Sequence, residues 1–444
     1  STTQTYLEQI DTIDAWFFDG FSPSKNPELW TKQLFSKINN SCHIDSTFST
    51  YSSSGYVKKN LKDAGFSYEK VKGFSQKRHM LKGLSSSKKE KTSIKGLKVA
   101  VIGSGIAGCT VSYFLSKQGI EVDLYEQEGD ICSGASSHEL LVTYPRLSVH
   151  DTPYGRFNIH AYVYAINFYE SLQTSAWQQT GVLVLNHDSD SNKKQDSLIQ
   201  SRNDNLIFEA LDSEEASQVA GIEITTPAML YRDAGYILPK QICEELIEHP
   251  KINLQLSTTV KEVIESRDEV SLIINNKTKK YDFVCLCAGS DTEKIYKLEG
   301  FSKKRGQVTH IHSRHIFSDI NLPICGKGYI SPEINNIHVV GSSYSDIDTL
   351  DVLEEEHQHN LENLKIINNA QAEIKAGKVG FRAVSKDHMP VVGNQARVFV
   401  NTCHGSRASV TAPICADIVS SLISGKAPPL EKRELESLSP NRFN

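Results

Sequence analysis

A chain of 444 residues with 39% hydrophobic and 23% charged residues can bury the cores of two to three domains, and no run of about eighteen apolar residues offers a membrane-spanning helix. A net charge of −5 excludes a protein that is basic throughout. The nine scattered cysteines include no C-x-x-C pair, which points to buried reduced thiols rather than to a metal site or a disulfide framework. The opening Ser1-Thr-Thr-Gln-Thr lacks the basic and apolar regions of a secretory signal, carries no initiator Met and starts inside a domain-like pattern. A fragment or processed form acting in the cytoplasm is expected.

In chain order, Ala15–Phe18 is an apolar strand ending at Asp19-Gly20, and a turn-rich loop then feeds a helix over Pro27–Ile38. His43–Tyr51 reads as a strand, Gly55–Ala64 as a helix stopped by Gly65, and Tyr68–Val71 with Arg78–Leu81 as a strand pair. Asp19 stands where ligands meet open α/β sheets, at a strand's C-terminal end; a turn role is the alternative. Lys58, Lys59, Lys62, Lys70, Lys72, Lys77, Arg78 and Lys82 belong to a basic block running to Lys98, either a solvated face or a phosphate-contacting patch. The polar stretch 84–96 is a linker.

The densest signal follows. Val99–Ile102 is a β-branched run, Gly103, Gly105 and Gly108 spell G-x-G-x-x-G, Ile106–Lys117 has helical spacing, and Val122–Tyr125 is a second strand ending in Glu126. That is a β-α-β dinucleotide unit, with glycines for the turn and close approach, a helix N-terminus for the pyrophosphate and an acid for the ribose. FAD and NAD both remain open on these residues. Gly134-Ala135-Ser136-Ser137 is a small-residue turn, and Asn158–Gln173 is a helix with an aromatic stripe.

Trp177–Asn186 reads as a strand, 188–204 as a loose charged excursion, and Asp233–Pro239 as a strand leading into a helix over Lys240–His249. Strands are expected at Leu254–Leu256, Thr259–Ser266, Glu269–Ile274 and Lys280–Leu286. The last runs into Ala288-Gly289, a late return to a parallel sheet that favours FAD over NAD. The strands His338–Ser342 and Val398–Asn401 follow, and Cys403-His-Gly405-Ser406-Arg407 then opens a long helix to Ile423.

Two resemblances tie these features together. Asp14-Ala-Trp-Phe-Phe-Asp19-Gly, with Gly73-Phe-Ser-Gln-Lys-Arg-His79, resembles the second half of a class I Rossmann-like methyltransferase. The features from Val99 to Arg407, including Gly235–Pro239, Arg305-Gly-Gln307 and Arg382…Asp387…Gly393, resemble the D-amino-acid oxidase and glycine oxidase superfamily. Taken in order, both modules resemble the bacterial bifunctional family that modifies the tRNA wobble uridine.

That resemblance implies a glutathione-reductase-like FAD domain with an α+β substrate domain, preceded by a partial methyltransferase domain over residues 1–83. The oxidoreductase module would span 97–430, with FAD-binding parts at about 97–175, 235–300 and 378–430, substrate-facing parts at about 176–234 and 301–377, and a tail over 431–444. FAD would lie on Gly103, Gly105, Gly108, Glu126, Gly134, Ala135, Ser136, Val260, Ala288, Gly289, Gly405 and Ser406. Arg382 would hold a substrate carboxylate, with a structural pair to Asp387 as its alternative. Arg407 would face that carboxylate or the flavin, Tyr236 would lie over the active site or pack in the core, and His404 would be a base or a satisfied core histidine. Asp19 would orient the amine in the methyltransferase remnant, and S-adenosyl-L-methionine would bind only if the missing half of that domain were supplied. The implied substrate is tRNA and the implied state a monomer without metal; the alternative is an oxidase of free glycine or sarcosine.

Overall fold

The computed structural model describes residues 13–73, 77–90, 93–201, 207–313, 317–365, 367 and 372–443. Parts of the expected excursion 188–204 and of the Gly73–His79 motif lie outside them. The chain divides into two units. One holds the described residues up to Lys95 together with Ser420–Leu435, and the other holds Gly96–Val419 and Glu436–Asn444.

In the first unit four strands stand in the order Ile13–Phe18, Cys42–Thr50, His79–Ser85, Phe66–Lys72. The first two are parallel and the rest antiparallel. Trp30, Phe35, Ile38, Leu61, Phe66 and Leu81 fill the core. The single helix expected over Pro27–Ile38 is two pieces, a 3-10 turn Pro27–Trp30 and an α-helix Lys32–Asn40. Thr31 takes an extended conformation between them, and its hydroxyl accepts the Leu34 N–H at 3.2 Å, so the polar cap ends one element and starts the next.

The second unit is built on a six-stranded sheet ordered Ile252–Gln255, Glu121–Tyr125, Lys98–Ile102, Phe283–Leu286, Val398–Thr402, Val391–Gln395. All neighbours are parallel except the last pair. Its inner strands are apolar and buried, as a sheet covered on both faces requires. Beside it stands an eight-stranded sheet whose two longest strands, Phe301–His312 and Ile374–Ser385, pair antiparallel from Phe301↔Ser385 to Ile311↔Ile374.

Several boundaries differ from expectation. The strand expected over Lys280–Leu286 is two, Lys277–Tyr281 and Phe283–Leu286, in different sheets. At the break Asp282 turns its carboxylate to the Lys98 N–H at 2.8 Å. The strand expected over Trp177–Asn186 divides into Trp177–Gln178 and Val182–Leu185 around Gly181, whose φ of +82° carries the chain between sheets. The excursion expected to be loose contains a helix, Ser189–Ser201, which buries little beyond Gln195 and Leu198. A polar helix of that kind carries no apolar stripe to read.

Candidate functional site

At the C-terminal ends of the parallel strands opens a cavity of about 480 Å³, where open α/β sheets bind ligands. The turn after Lys98–Ile102 forms its floor. Gly103 has a φ of +100°, and a Cβ there would meet the Cys287 carbonyl at 2.6 Å; a Cβ on Gly108 would stand 1.8 Å from the Gly103 carbonyl. Glycine is thus required at both, one for the turn and one for the close approach of the helix Ile106–Lys117. At the helix start the Ile106 N–H donates to the Ser136 hydroxyl at 3.1 Å, joining the Gly134–Ser137 turn to the glycine motif.

Glu126 is buried on the cavity wall. One carboxylate oxygen accepts from the Ser104 N–H at 3.0 Å and the Ser104 hydroxyl at 2.6 Å, and the other accepts from the Glu128 N–H at 3.0 Å. Three donors fix the carboxylate on the cavity wall, and it keeps capacity to accept a further donor. Gly103, Gly105, Gly134, Ala135, Ser136, Val260, Ala288, Gly289 and Gly405 line the same cavity. Gly108 is buried beneath it, and Ser406 is exposed and not among the lining residues. Asn401, which the sequence reading missed, lines the wall with a buried Nδ2 that has no hydrogen-bond partner among the described residues. An orphaned donor in a cradle of small residues fits a dinucleotide.

Arg382, on the long strand Ile374–Ser385, lines the far wall. Its Nη2 donates to the Ser342 hydroxyl at 2.7 Å and its Nη1 to the Ser343 carbonyl at 3.2 Å and the Arg305 carbonyl at 3.4 Å. The guanidinium lies across Gly306, where a Cβ would come within 2.1 Å of it. Five N–H groups exceed these three bonds, so donors remain for a carboxylate. Burial pulls its pKa below the ordinary arginine value. The alternative partner Asp387 is engaged by Arg442 instead, at 2.8 and 2.9 Å.

Beside Arg382 stands a charged cluster that the sequence reading also missed. Glu139 accepts from His310 at 2.9 Å and from Lys378 at 3.3 Å. Burial pushes its carboxyl up, but the hydrogen bond and charge of His310, with Lys378, bring it down to about 2. Burial and the Arg382 cation lower the neighbouring His138 to about 4.

Two residues expected at this site lie outside the cavity lining, and Asp19 stands in the first unit as expected. Tyr236 is buried in an apolar cluster with Leu140, Val308, Ile337 and Val339 and does not line the cavity, so it is a packed tyrosine. Arg407 donates to the Tyr144 carbonyl at 2.9 Å, stacks over the Tyr144 ring at 4.4 Å and is not among the residues lining the cavity. Asp19 is exposed in the first unit, after the strand Ile13–Phe18. His404 lines the cavity but is satisfied on both nitrogens, by Thr411 at 2.8 Å and Asn401 at 3.1 Å. Burial lowers it to about 4, so it stays neutral and serves as a structural group. All nine cysteines are buried free thiols.

Comparison with known proteins agrees with this geometry. The FAD dependent oxidoreductase family matches residues 98–422, and the S-adenosyl-L-methionine-dependent methyltransferase family matches residues 3–86. The tRNA 5-methylaminomethyl-2-thiouridine biosynthesis bifunctional protein MnmC of Marinomonas sp. (strain MWYL1) is 31% identical over 97% of this chain and 74% of its own length. The protein of that name from Methylobacillus flagellatus is 30% identical over 98% and 73%. Among solved structures, glycine oxidase from Geobacillus kaustophilus has a TM-score of 0.68 at 18% identity, covering 78% of this chain and 99% of its own, and so shares the fold. The chain belongs to the FAD-dependent oxidoreductase family and, across both of its modules, to the family of MnmC bifunctional proteins.

Proposed function

We propose that this protein oxidises the carboxymethylaminomethyl group on the wobble uridine of tRNA, releasing the carboxymethyl part as glyoxylate and leaving aminomethyl-uridine. The observation that carries the reading is Arg382, a buried guanidinium with donors to spare on the wall of a glycine-lined cavity. The relatives' names supply the RNA context.

FAD, when bound, supplies the two-electron acceptor for hydride from the carbon α to nitrogen. The protein's own task is orientation. Arg382 grips the substrate carboxylate with planar, charge-assisted bonds and so fixes the α-carbon. Glu126 holds the ribose end of the cofactor, and Gly103, Gly105 and the Gly134–Ser136 turn admit the pyrophosphate. His404 and His138 are neutral at physiological pH and place no cation against the amine. Water then hydrolyses the oxidised C–N bond, giving amine and aldehyde.

The exposed lysines Lys59, Lys62, Lys70 and Lys72 of the first unit are proposed as an RNA-backbone surface. The protein is proposed to act as a cytoplasmic monomer, and S-adenosyl-L-methionine is proposed as a ligand only of a completed first module, with Asp19 facing the amine. The test is anaerobic: yellow protein mixed with tRNA bearing the carboxymethylaminomethyl group, or with glycine or sarcosine. Bleaching by the tRNA supports the proposal; bleaching by the free amines alone overturns it in favour of a small-amine oxidase.

A further inference from the structure

The segment between Gly341 and the helix Glu354–Leu364 is a strap carrying Tyr344, Ile347, Leu350 and Val352, which are 55%, 41%, 67% and 46% exposed. Four exposed large apolar side chains within residues 344–352 form a candidate binding surface. A loose loop would be a weaker case, but this strap is held firmly. Arg305, with no exposed surface, forms a two-way backbone bridge with Ser345 at 2.9 and 3.2 Å. Its guanidinium donates to the Asp351 carbonyl at 2.7 Å and the Thr349 carbonyl at 3.4 Å, and pairs with Glu356 at 3.2 Å. Gln307 closes the far end by exchanging hydrogen bonds with Leu353 at 2.8 and 2.9 Å. Lys303 and Lys304 reach Asp348 and Asp346 along the outside.

A buried arginine is costly unless paired; Arg305 pairs through its Nη groups, while its Nε has no partner among the described residues. Here it fixes a strap whose apolar side chains face water, so the fixation presents those side chains rather than hiding them. The strap also reaches the site: Leu350 lines the cavity, and Tyr344, which is not itself among the lining residues, has its ring centroid 5.8 Å from the guanidinium carbon of Arg382. In a substrate held by its carboxylate on Arg382, four single bonds separate that carboxyl carbon from the ring carbon of the uracil, a span of about 5 Å at about 1.5 Å per bond. The base therefore arrives within reach of the Tyr344 ring.

We propose that Tyr344 is the stacking platform for the wobble base and that the strap around Leu350 docks the single-stranded anticodon loop; this rests on the tRNA reading above. Aromatic stacking suits such an occupant because every base offers a π-face, and Lys303 and Lys304 pair with two of the strap's three aspartates, Asp348 and Asp346.

The test uses the FAD-loaded full chain. Binding of an anticodon stem-loop bearing the carboxymethylaminomethyl-uridine is measured for the parent, Tyr344→Ala and Tyr344→Phe, alongside anaerobic bleaching and light scattering. The Ala variant should bind the stem-loop about fivefold or more weakly, equivalent to about 1 kcal/mol, while keeping its flavin spectrum; the Phe variant should bind like the parent. If the parent is bleached by tRNA and the Ala variant binds equally well, the platform is wrong and the tRNA reading stands. Equal weakening in the Phe variant overturns stacking in favour of the hydroxyl. A dimer in the parent that Tyr344→Ala dissolves assigns the strap to a second copy and overturns the proposal. A parent bleached only by free amines overturns both readings.

Discussion

Arg442, beside the last described residue, closes a two-pronged ion pair on Asp387, with Nε to Oδ2 at 2.8 Å and Nη2 to Oδ1 at 2.9 Å. The C-terminal turn is thereby anchored to the loop after the strand that carries Arg382, and Asp387 is taken away from Arg382 as a partner. Burial pushes the Asp387 carboxyl up, but Arg442, the Met389 N–H and Ser385 hold it below the usual aspartate range. A lowered folded pKa means that this stabilisation is present above about pH 4 and is lost as pH falls below it. Arg442→Ala should therefore lower the melting temperature at pH 7 and shrink the further loss between pH 4 and pH 3, which a melting series across that range checks.

Arg382→Ala should retain the flavin and lose about a hundredfold in kcat/KM for the carboxylate-bearing substrate, because a charged fork is removed from a dry wall. Arg382→Lys should recover little, since an ammonium cannot keep the Ser342 and Ser343 bonds and also grip two carboxylate oxygens. Single-turnover flavin reduction against substrate concentration measures both.

His404 has its pKa lowered to about 4 from an ordinary 6.5. In the unfolded chain it takes up a proton as pH falls through 6.5, while the folded ring refuses it until about 4. Its share of stability is thus complete above pH 6.5 and drains away between 6.5 and 4. His404→Gln should narrow the difference in melting temperature between pH 7.5 and pH 5 by several degrees. The same variant should introduce no new inflection in the rate of flavin reduction above pH 6, as expected of a group that moves no proton there.

Gly108→Ala places a methyl 1.8 Å from the Gly103 carbonyl, so the helix Ile106–Lys117 must retreat from the turn. A destabilisation of about 1–3 kcal/mol is expected, together with loss of flavin, read as a fall in the ratio of 450 nm to 280 nm absorbance in the purified protein.

Charge reversal at Lys59, Lys62, Lys70 and Lys72 should weaken tRNA binding and flatten its salt dependence by about one unit of log–log slope for each phosphate that is no longer neutralised. An unchanged slope in a filter-binding series would remove these lysines from the RNA surface.

The β-α-β unit was readable almost residue by residue because its determinants lie close together in the chain; the helix Ile106–Lys117 begins and ends where the spacing predicts. Arg407 could not be oriented from its neighbours, since what decides its direction is Tyr144, far upstream in the chain. Tyr236 was ambiguous for the same reason, its apolar neighbours coming from separate stretches of sequence. The strap around Tyr344 has no periodicity of its own. Its shape comes from Arg305, and only the alternation of Asp with Ile, Leu and Val through Asp346–Val352 hinted that apolar side chains would stand between paired acids.

The pairing order of the six-stranded sheet also sets when the cofactor can be loaded. The strand that opens the glycine motif is completed by Phe283–Leu286, which in turn waits for Val398–Thr402. With about 300 residues between the first of these strands and the last, and synthesis at about 5–20 residues per second, the turn meant for the pyrophosphate lacks its neighbours for roughly 15 to 60 seconds. Flavin uptake therefore follows the synthesis of Val398–Thr402, and a shortage of cofactor during expression should yield folded, colourless protein that turns yellow when FAD is added afterwards.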